Sequence, residues 1–194
     1  MTAKLYHPFI IGNKIYLRGI EKSDITGNWF NWFNDPAVTR YGSRGLKPVY
    51  IEDNEKFYNE ISQSEHNVTF AIINKDNNEH IGNISLQKID WINRICELGI
   101  TIGEKKEWGK GYGTEATILT IRHGFDKLNL RKIYLCVISE HTAAVKLYKE
   151  VGFITEGTLI KEILRDNKEF DYYRMAIFRD DFYKKYKNLV NDNP

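Results

Sequence analysis

Trp108-Gly109-Lys110-Gly111-Tyr112-Gly113-Thr114-Glu115-Ala116 is the stretch on which the reading of this chain turns. Three of the chain's fourteen glycines fall within five of its positions. Glycine lets a backbone turn its amides inward and lets a ligand approach with no Cβ in the way. Beyond the loop, Ile118, Ile121, Phe125 and Leu128 recur at steps of three and four. With Ala116 and Leu119 widening the same side, they predict a helix of about four turns from Tyr112 onward. A helix start offers unpaired N–H groups and the positive end of the helix dipole, which together suit a pyrophosphate. The plainer alternative is a tight strand-to-helix connection that binds nothing, but such a turn usually needs one glycine.

Working outward, Lys14 to Ile20 alternates as a first strand, and Ser23 or Asp24 can cap a helix that runs through Trp32 and stops before Asn34-Asp35-Pro36. A second amphipathic helix falls near Ile51 to Ile61. Val68 to Ile73, Ile81 to Ile89 and Ile92 to Ile102 read as a meander of antiparallel strands divided by Asn74 to Asn78 and a turn at Asp90. After the glycine loop, Lys132 to Ile138 is a strand, and His141 or Thr142 starts a helix through Glu150. Gly152 fits its left-handed cap, Phe153 begins another strand and the last strand lies around Phe170 to Phe178. Arg179 to Lys187 reads as a charged surface helix. The order predicts an α/β (α+β) fold, a mixed and mostly antiparallel sheet with helices on both faces. No repeat or Pro/Gly/Ser linker interrupts residues 1–194, so one domain is expected.

Three phosphate-loop families compete for the glycines. Gly111-x-Gly113-x-x-Ala116 satisfies the bare dinucleotide fingerprint, but it follows the meander rather than a first parallel strand, and the remaining chain has no room for a doubly wound sheet. Nucleoside triphosphatase chemistry needs Lys followed at once by Ser or Thr, whereas Lys110 is followed by Gly111.

The loop resembles the pyrophosphate loop of the GNAT acyl-CoA N-acyltransferases, Gln/Arg-x-x-Gly-x-Gly/Ala, with Trp108 at the usually polar first position. Glu140-His141-Thr142-Ala143-Ala144-Val145-Lys146-Leu147-Tyr148-Lys149-Glu150-Val151-Gly152-Phe153 is similar to that family's second signature, Asn-x-x-Ala-x-x-Leu-Tyr-x-x-x-Gly-Phe, with His141 in place of Asn. The likeness extends loosely over residues 14 to 180 and is nearest to the branch holding ribosomal-protein N-terminal and polyamine acetyltransferases.

Such chemistry needs a deprotonated amine, a polarised carbonyl and an acid for the departing thiolate. The resemblance implies acetyl-CoA as cosubstrate, held by Trp108, Gly109, Lys110, Gly111, Tyr112, Gly113 and Thr114, by strand residues Ile100, Thr101 and Ile102, and by His141 and Ala144. His141 is either a pantetheine contact or only a helix cap. Tyr148 occupies the family's acid position, and a phenol of pKa ~10 stays protonated at neutral pH. Glu97 stands where several relatives carry a base, although a cross-strand ion pair explains it equally well. Gly99 can mark a bulge that opens the sheet beside it. A Cβ at Gly111 or Gly113 is expected to block both phosphate and left-handed backbone.

The family builds its acceptor pocket from the first helices and the last strand pair, which here offer Trp29, Trp32, Asn34, Asp35, Tyr41, Tyr172 and Tyr173. Of these, Trp32, Asn34, Tyr41 and Tyr172 are the expected substrate contacts, and the aromatic wall suits an amino sugar, a polyamine or a peptide N-terminus alike. The small amine is favoured, because no added docking segment or basic run marks a protein acceptor. A non-catalytic acyl-CoA sensor on the same fold is the rival from another class.

Composition trims the remaining possibilities. A net charge of +2 with 42% hydrophobic residues argues against a disordered chain and against a nucleic-acid-binding surface. Cys96 and Cys136 lie in apolar runs without a CxxC or a His cluster, so free structural thiols and no metal are expected, and neither cysteine marks a covalent nucleophile. No signal h-region or membrane-length run occurs, which predicts a cytoplasmic location and no membrane partner. The oligomeric state, a homodimer included, is open.

Overall fold

The computed structural model describes residues 5–42 and 44–189. In chain order the elements are β1 (Ile10–Ile11), β2 (Ile15–Gly19), α1 (Lys22–Ile25), α2 (Asn28–Trp32), α3 (Pro36–Thr39), α4 (Ile51–Ser62), β3 (Val68–Asn74), β4 (His80–Asp90) and β5 (Ile95–Ile102). Then follow α5 (Tyr112–Asp126), β6 (Lys132–Ile138), α6 (Thr142–Val151), β7 (Ile154–Arg165), β8 (Lys168–Phe178) and α7 (Arg179–Lys185). Strand order is β1-β2-β3-β4-β5-β6-β8-β7. The β5–β6 pair is parallel, while β1–β2, β2–β3, β3–β4, β6–β8 and β7–β8 are antiparallel. The mixed, mostly antiparallel sheet with accompanying helices is therefore the expected class.

Two compact units divide the chain: residues up to Lys88 together with Gly99–Thr120, and Ile89–Leu98 together with Ile121 onward. In the first, Ile15, Tyr16 and Leu17 of β2 and Phe70 to Ile73 of β3 are buried, and a second cluster gathers Ile25, Trp29 and Trp32 beneath Phe33, Phe57 and Tyr58. In the second, Ile133 and Leu135 of β6 and Met175 to Ile177 of β8 are buried, as are Phe125 and Phe182, whose rings meet edge to face at 5.6 Å.

Two expectations need correction. The single helix from Ser23 or Asp24 to Trp32 is broken into α1 and α2, because Asp24 is not a cap but sits inside α1, where its carboxylate accepts from the Glu21 N–H at 2.8 Å and pairs with Arg18 at 2.7 Å. The chain then turns through Thr26 and an extended Gly27 (ψ −155°) before α2 restarts. The strand expected from Ile92 starts only at Ile95, since Arg94 takes a left-handed turn conformation at φ 53°. The short strand β1 carried no alternation long enough to be read.

Candidate functional site

In the first unit the glycine loop has the backbone its composition requires. Gly109 and Gly111 are left-handed, at φ 76° and 88°, a region that favours glycine. Gly113 is not left-handed: it stands in the first turn of α5, where its carbonyl accepts from Thr117 Oγ1 at 2.7 Å. The steric argument therefore holds at Gly111 and not, in its left-handed part, at Gly113. The loop is anchored by Lys14, whose Nζ donates to the Lys110 carbonyl at 3.1 Å, and by Lys110 itself, paired with the buried Glu107 at 3.1 Å. Glu115 accepts from the backbone N–H groups of Asn13 and Lys14, so α5 also grips the β1–β2 turn. These bonds fix a row of first-turn N–H groups, at Tyr112, Gly113 and Thr114, which lack acceptors within the helix. Tyr112 is buried, and its hydroxyl accepts from Asn74 Nδ2 at 3.4 Å.

The end of β5 belongs to the same unit. Gly82 approaches it so closely that a Cβ there would lie 2.3 Å from the Thr101 carbonyl oxygen. Ile102 already accepts the indole N–H of Trp108 at 2.7 Å, so the aromatic ring at the family's polar position closes the strand onto its own loop. The next residue, Gly103, is packed flat against Trp32: a Cβ would fall 1.9 Å from the indole. Trp32 is buried, donates its Nε1–H to Glu104 at 2.8 Å and meets the His80 ring edge to face at 5.0 Å. His80 in turn reaches Asp24 at 3.3 Å. Burial alone would raise the Asp24 carboxyl, yet hydrogen bonds from Arg18 and His80 outweigh it and hold the group well below the usual carboxylate range.

The acceptor residues named from sequence fare differently. Trp29 is fully buried in the core. Asn34 clamps the backbone of Val49 with both ends of its amide, at 2.9 Å each way, which commits it to holding the loop after α3. Asp35 caps α3 through the Ala37 N–H and pairs with Lys105 at 2.6 Å. Tyr41 is half-buried beside Arg40, whose guanidinium carbon lies 5.2 Å from the ring centroid.

In the second unit β5 runs parallel to β6 only from Ile95 to Glu97, although β6 continues to Ile138. Glu97 is the last residue in that ladder, opposite Tyr134. His141 is the N-cap of α6 by position but makes no side-chain capping bond, which removes the simple cap reading. Burial lowers its pKa below the ordinary histidine value. Gly152 closes the helix in the left-handed region, at φ 118°, with its N–H bonded to Tyr148 and Lys149. Along α6, Ala144, Leu147, Tyr148 and Val151 follow at helical spacing, and Tyr148 and Val151 are buried. Tyr148 packs edge to face on Phe153 at 5.6 Å. Burial, and next the nearby Tyr172, push its phenol above the ordinary value. Its hydroxyl makes no hydrogen bond among the described residues. Tyr172 and Tyr173 lie on β8, opposite Ile138 and Val137 of β6.

Cys96 and Cys136 are free, and burial drives the Cys96 thiol up to about 12. Among the described residues no cluster of His, Cys, Asp and Glu could hold a metal, and no helix is long and apolar enough to cross a membrane.

Comparison with known proteins follows the same lines. A family profile described as an acetyltransferase (GNAT) domain matches residues 14–154. The chain is 30% identical over 173 residues to the N-acetyltransferase p20 of Bacillus licheniformis, covering 87% of this chain and 95% of that one. It is 28% identical over 176 residues to the spermidine N(1)-acetyltransferase of Escherichia coli K12, covering 90% and 91%. Its fold superposes on the crystal structure of spermidine N-acetyltransferase from Vibrio cholerae in complex with CoA and spermine, with a TM-score of 0.79, 29% identity, and coverage of 87% of this chain and 98% of that one.

Proposed function

The chain belongs to the GNAT acetyltransferase family, and from that membership we propose that it transfers the acetyl group of acetyl-CoA directly to the primary amine of a small molecule, the whole chain serving as one catalytic domain in the cytoplasm. The observation that carries the reading is the pair of left-handed glycines, Gly109 and Gly111, immediately before the unpaired N–H groups of α5. In this proposal the loop from Trp108 to Thr114 takes the CoA pyrophosphate, the backbone of Ile100 to Ile102 takes the pantetheine arm and polarises the thioester carbonyl, and His141 and Ala144 add contacts from α6.

The amine nitrogen attacks the thioester carbon, the carbon–sulfur bond breaks, and the sulfur takes the proton of the Tyr148 hydroxyl, which recovers one from solvent. Glu97, directly or through water, accepts the proton lost by the amine. Tyr148 suits this role because burial keeps its phenol protonated and its hydroxyl has no other partner among the described residues. A covalent route through Cys96 is disfavoured, since burial pushes its thiol up to about 12 and leaves almost no thiolate at neutral pH.

Polyamines and amino sugars are the two acceptor classes, the first supported by the named spermidine acetyltransferases among the relatives. Free-thiol release from acetyl-CoA should depend on added spermidine, glucosamine or another small amine more strongly than on a peptide N-terminus. CoA binding with no amine-dependent release would identify a sensor instead.

A further inference from the structure

Three arginines stand in a row across one end of the second unit's strands. Arg94 directly precedes β5, Arg131 directly precedes β6 and Arg179 directly follows β8. Backbone bonds fix their order: the Arg131 N–H donates to the Arg94 carbonyl at 2.9 Å, and the Arg179 N–H donates to the Arg131 carbonyl at 3.1 Å. Neighbouring strands lie ~4.8 Å apart, so the three side chains start from one short line. Together with Leu130, Phe178 and Asp180 they line a cavity of about 350 Å³.

The charges of this row are largely unmatched. Arg94 is exposed, and among the described residues its side chain makes no hydrogen bond and no ion pair. Arg131 gives only its Nε–H to the protein, at 2.9 Å from the Asn93 carbonyl, which leaves both Nη groups for another partner. Arg179 is the anchored member: its Nη1 donates to the Phe125 carbonyl at 2.6 Å, and its Nη2 lies 4.0 Å from Asp126. Asp180 is the one carboxylate in the lining, and it forms no ion pair among the described residues. Three guanidiniums against one carboxylate leave an excess of two positive charges around the cavity. Like charges gathered this closely repel one another, and an anion seated among them relieves the repulsion. The lining is not polar throughout, since Leu130 is fully buried and Phe178 half-buried, which gives the cavity an apolar wall.

We propose that this cavity is a binding site for a phosphate monoester, built from none of the residues assigned to CoA or to the acceptor amine. A phosphate monoester carries a charge of about −1.5 to −2 at pH 7, which matches the excess of the lining, whereas a single carboxylate would leave part of it unmet. Its oxygens accept the forked, charge-assisted hydrogen bonds that guanidinium groups donate. Its organic part lies against Leu130 and Phe178. The cavity volume is in the range of small-molecule sites and exceeds the needs of a bare phosphate.

The test is calorimetric titration of the full chain with phenyl phosphate, inorganic phosphate and benzyl alcohol at one ionic strength, without CoA, whose own phosphates would compete. Phenyl phosphate should bind once per chain with a Kd of about 1 mM or tighter, inorganic phosphate more weakly, and benzyl alcohol without saturation. Arg94→Gln should weaken phenyl phosphate at least ~10-fold, and because that side chain holds no structural bond the variant should melt as the wild type does. Lys127→Gln removes an exposed cation outside the lining, and Gly111→Val obstructs the pyrophosphate loop; both should keep the wild-type affinity. Absence of saturable binding overturns the proposal, as does affinity unchanged in Arg94→Gln or equally reduced in Lys127→Gln. Loss of binding in Gly111→Val would place the ligand in the glycine loop and overturn it too. Phosphate bound as tightly as phenyl phosphate would overturn the part given to Leu130 and Phe178. No amine and no turnover enter the measurement, so its outcome is independent of the acetyl-transfer reading.

Discussion

Tyr148 is one of α6's buried side chains, and its hydroxyl has no partner among the described residues, which is the arrangement expected of a group reserved for chemistry rather than for packing. Tyr148→Phe keeps the ring against Phe153 and removes only the proton, so CoA affinity should be unchanged while kcat falls roughly 10²-fold. Steady-state kinetics beside CoA calorimetry read both, and an unaltered kcat would remove the acid role. His141 makes the opposite kind of prediction, because burial depresses its pKa and keeps the imidazole neutral at pH 7. If it contacts CoA in that form, affinity should hold as pH falls to ~6.5 and weaken only below it, where protonation converts the ring's acceptor nitrogen to a donor. His141→Asn should flatten the dependence, and wild-type and Asn curves of the same shape would make His141 a bystander. Tyr148 and His141 were both legible in sequence, since a motif with fixed spacing names positions. The part played by Asn34 was not, since only the structure shows that its amide clamps the backbone of Val49.

Periodicity and glycine placement carried most of the elements. The limits of β6 were read to the residue, and α5 and the left-handed Gly152 after α6 agree with their patterns, because long apolar rhythms and a helix-ending glycine leave few alternatives. The α1–α2 break has no local signal in the sequence: tertiary bonds from Arg18 and His80 hold Asp24 inside a four-residue helix, and no local propensity reports that. Within the glycine loop, Gly111→Val places a β-branched residue at φ 88° and should abolish CoA binding in a folded protein. Calorimetry checks this, and unchanged affinity would detach the loop from the cofactor. At the end of β5, Gly103→Ala drives a methyl into the Trp32 ring and must displace it from Glu104. A loss of about 1–3 kcal/mol in denaturant melts is expected, together with a shift in tryptophan emission. A variant as stable as the wild type, with unshifted emission, would mean the indole is not held there.

The whole chain has almost no net charge to attract a polyanion or polycation from a distance, so selectivity must come from individual groups rather than from a long-range field. No linker in the sequence announces the two compact units, because the chain passes from one to the other inside elements, between Lys88 and Ile89 in β4, between Leu98 and Gly99 in β5 and between Thr120 and Ile121 in α5. The account as a whole depends on one transfer, and acetyl-CoA labelled in its acetyl group follows it directly. Mass spectrometry of the amine, read against free CoA in the same reaction, should find one labelled acetyl on nitrogen for every thiol released, with none released when the amine is omitted. Thiol release that leaves the amine unlabelled, or CoA that binds and is never turned over, would contradict it.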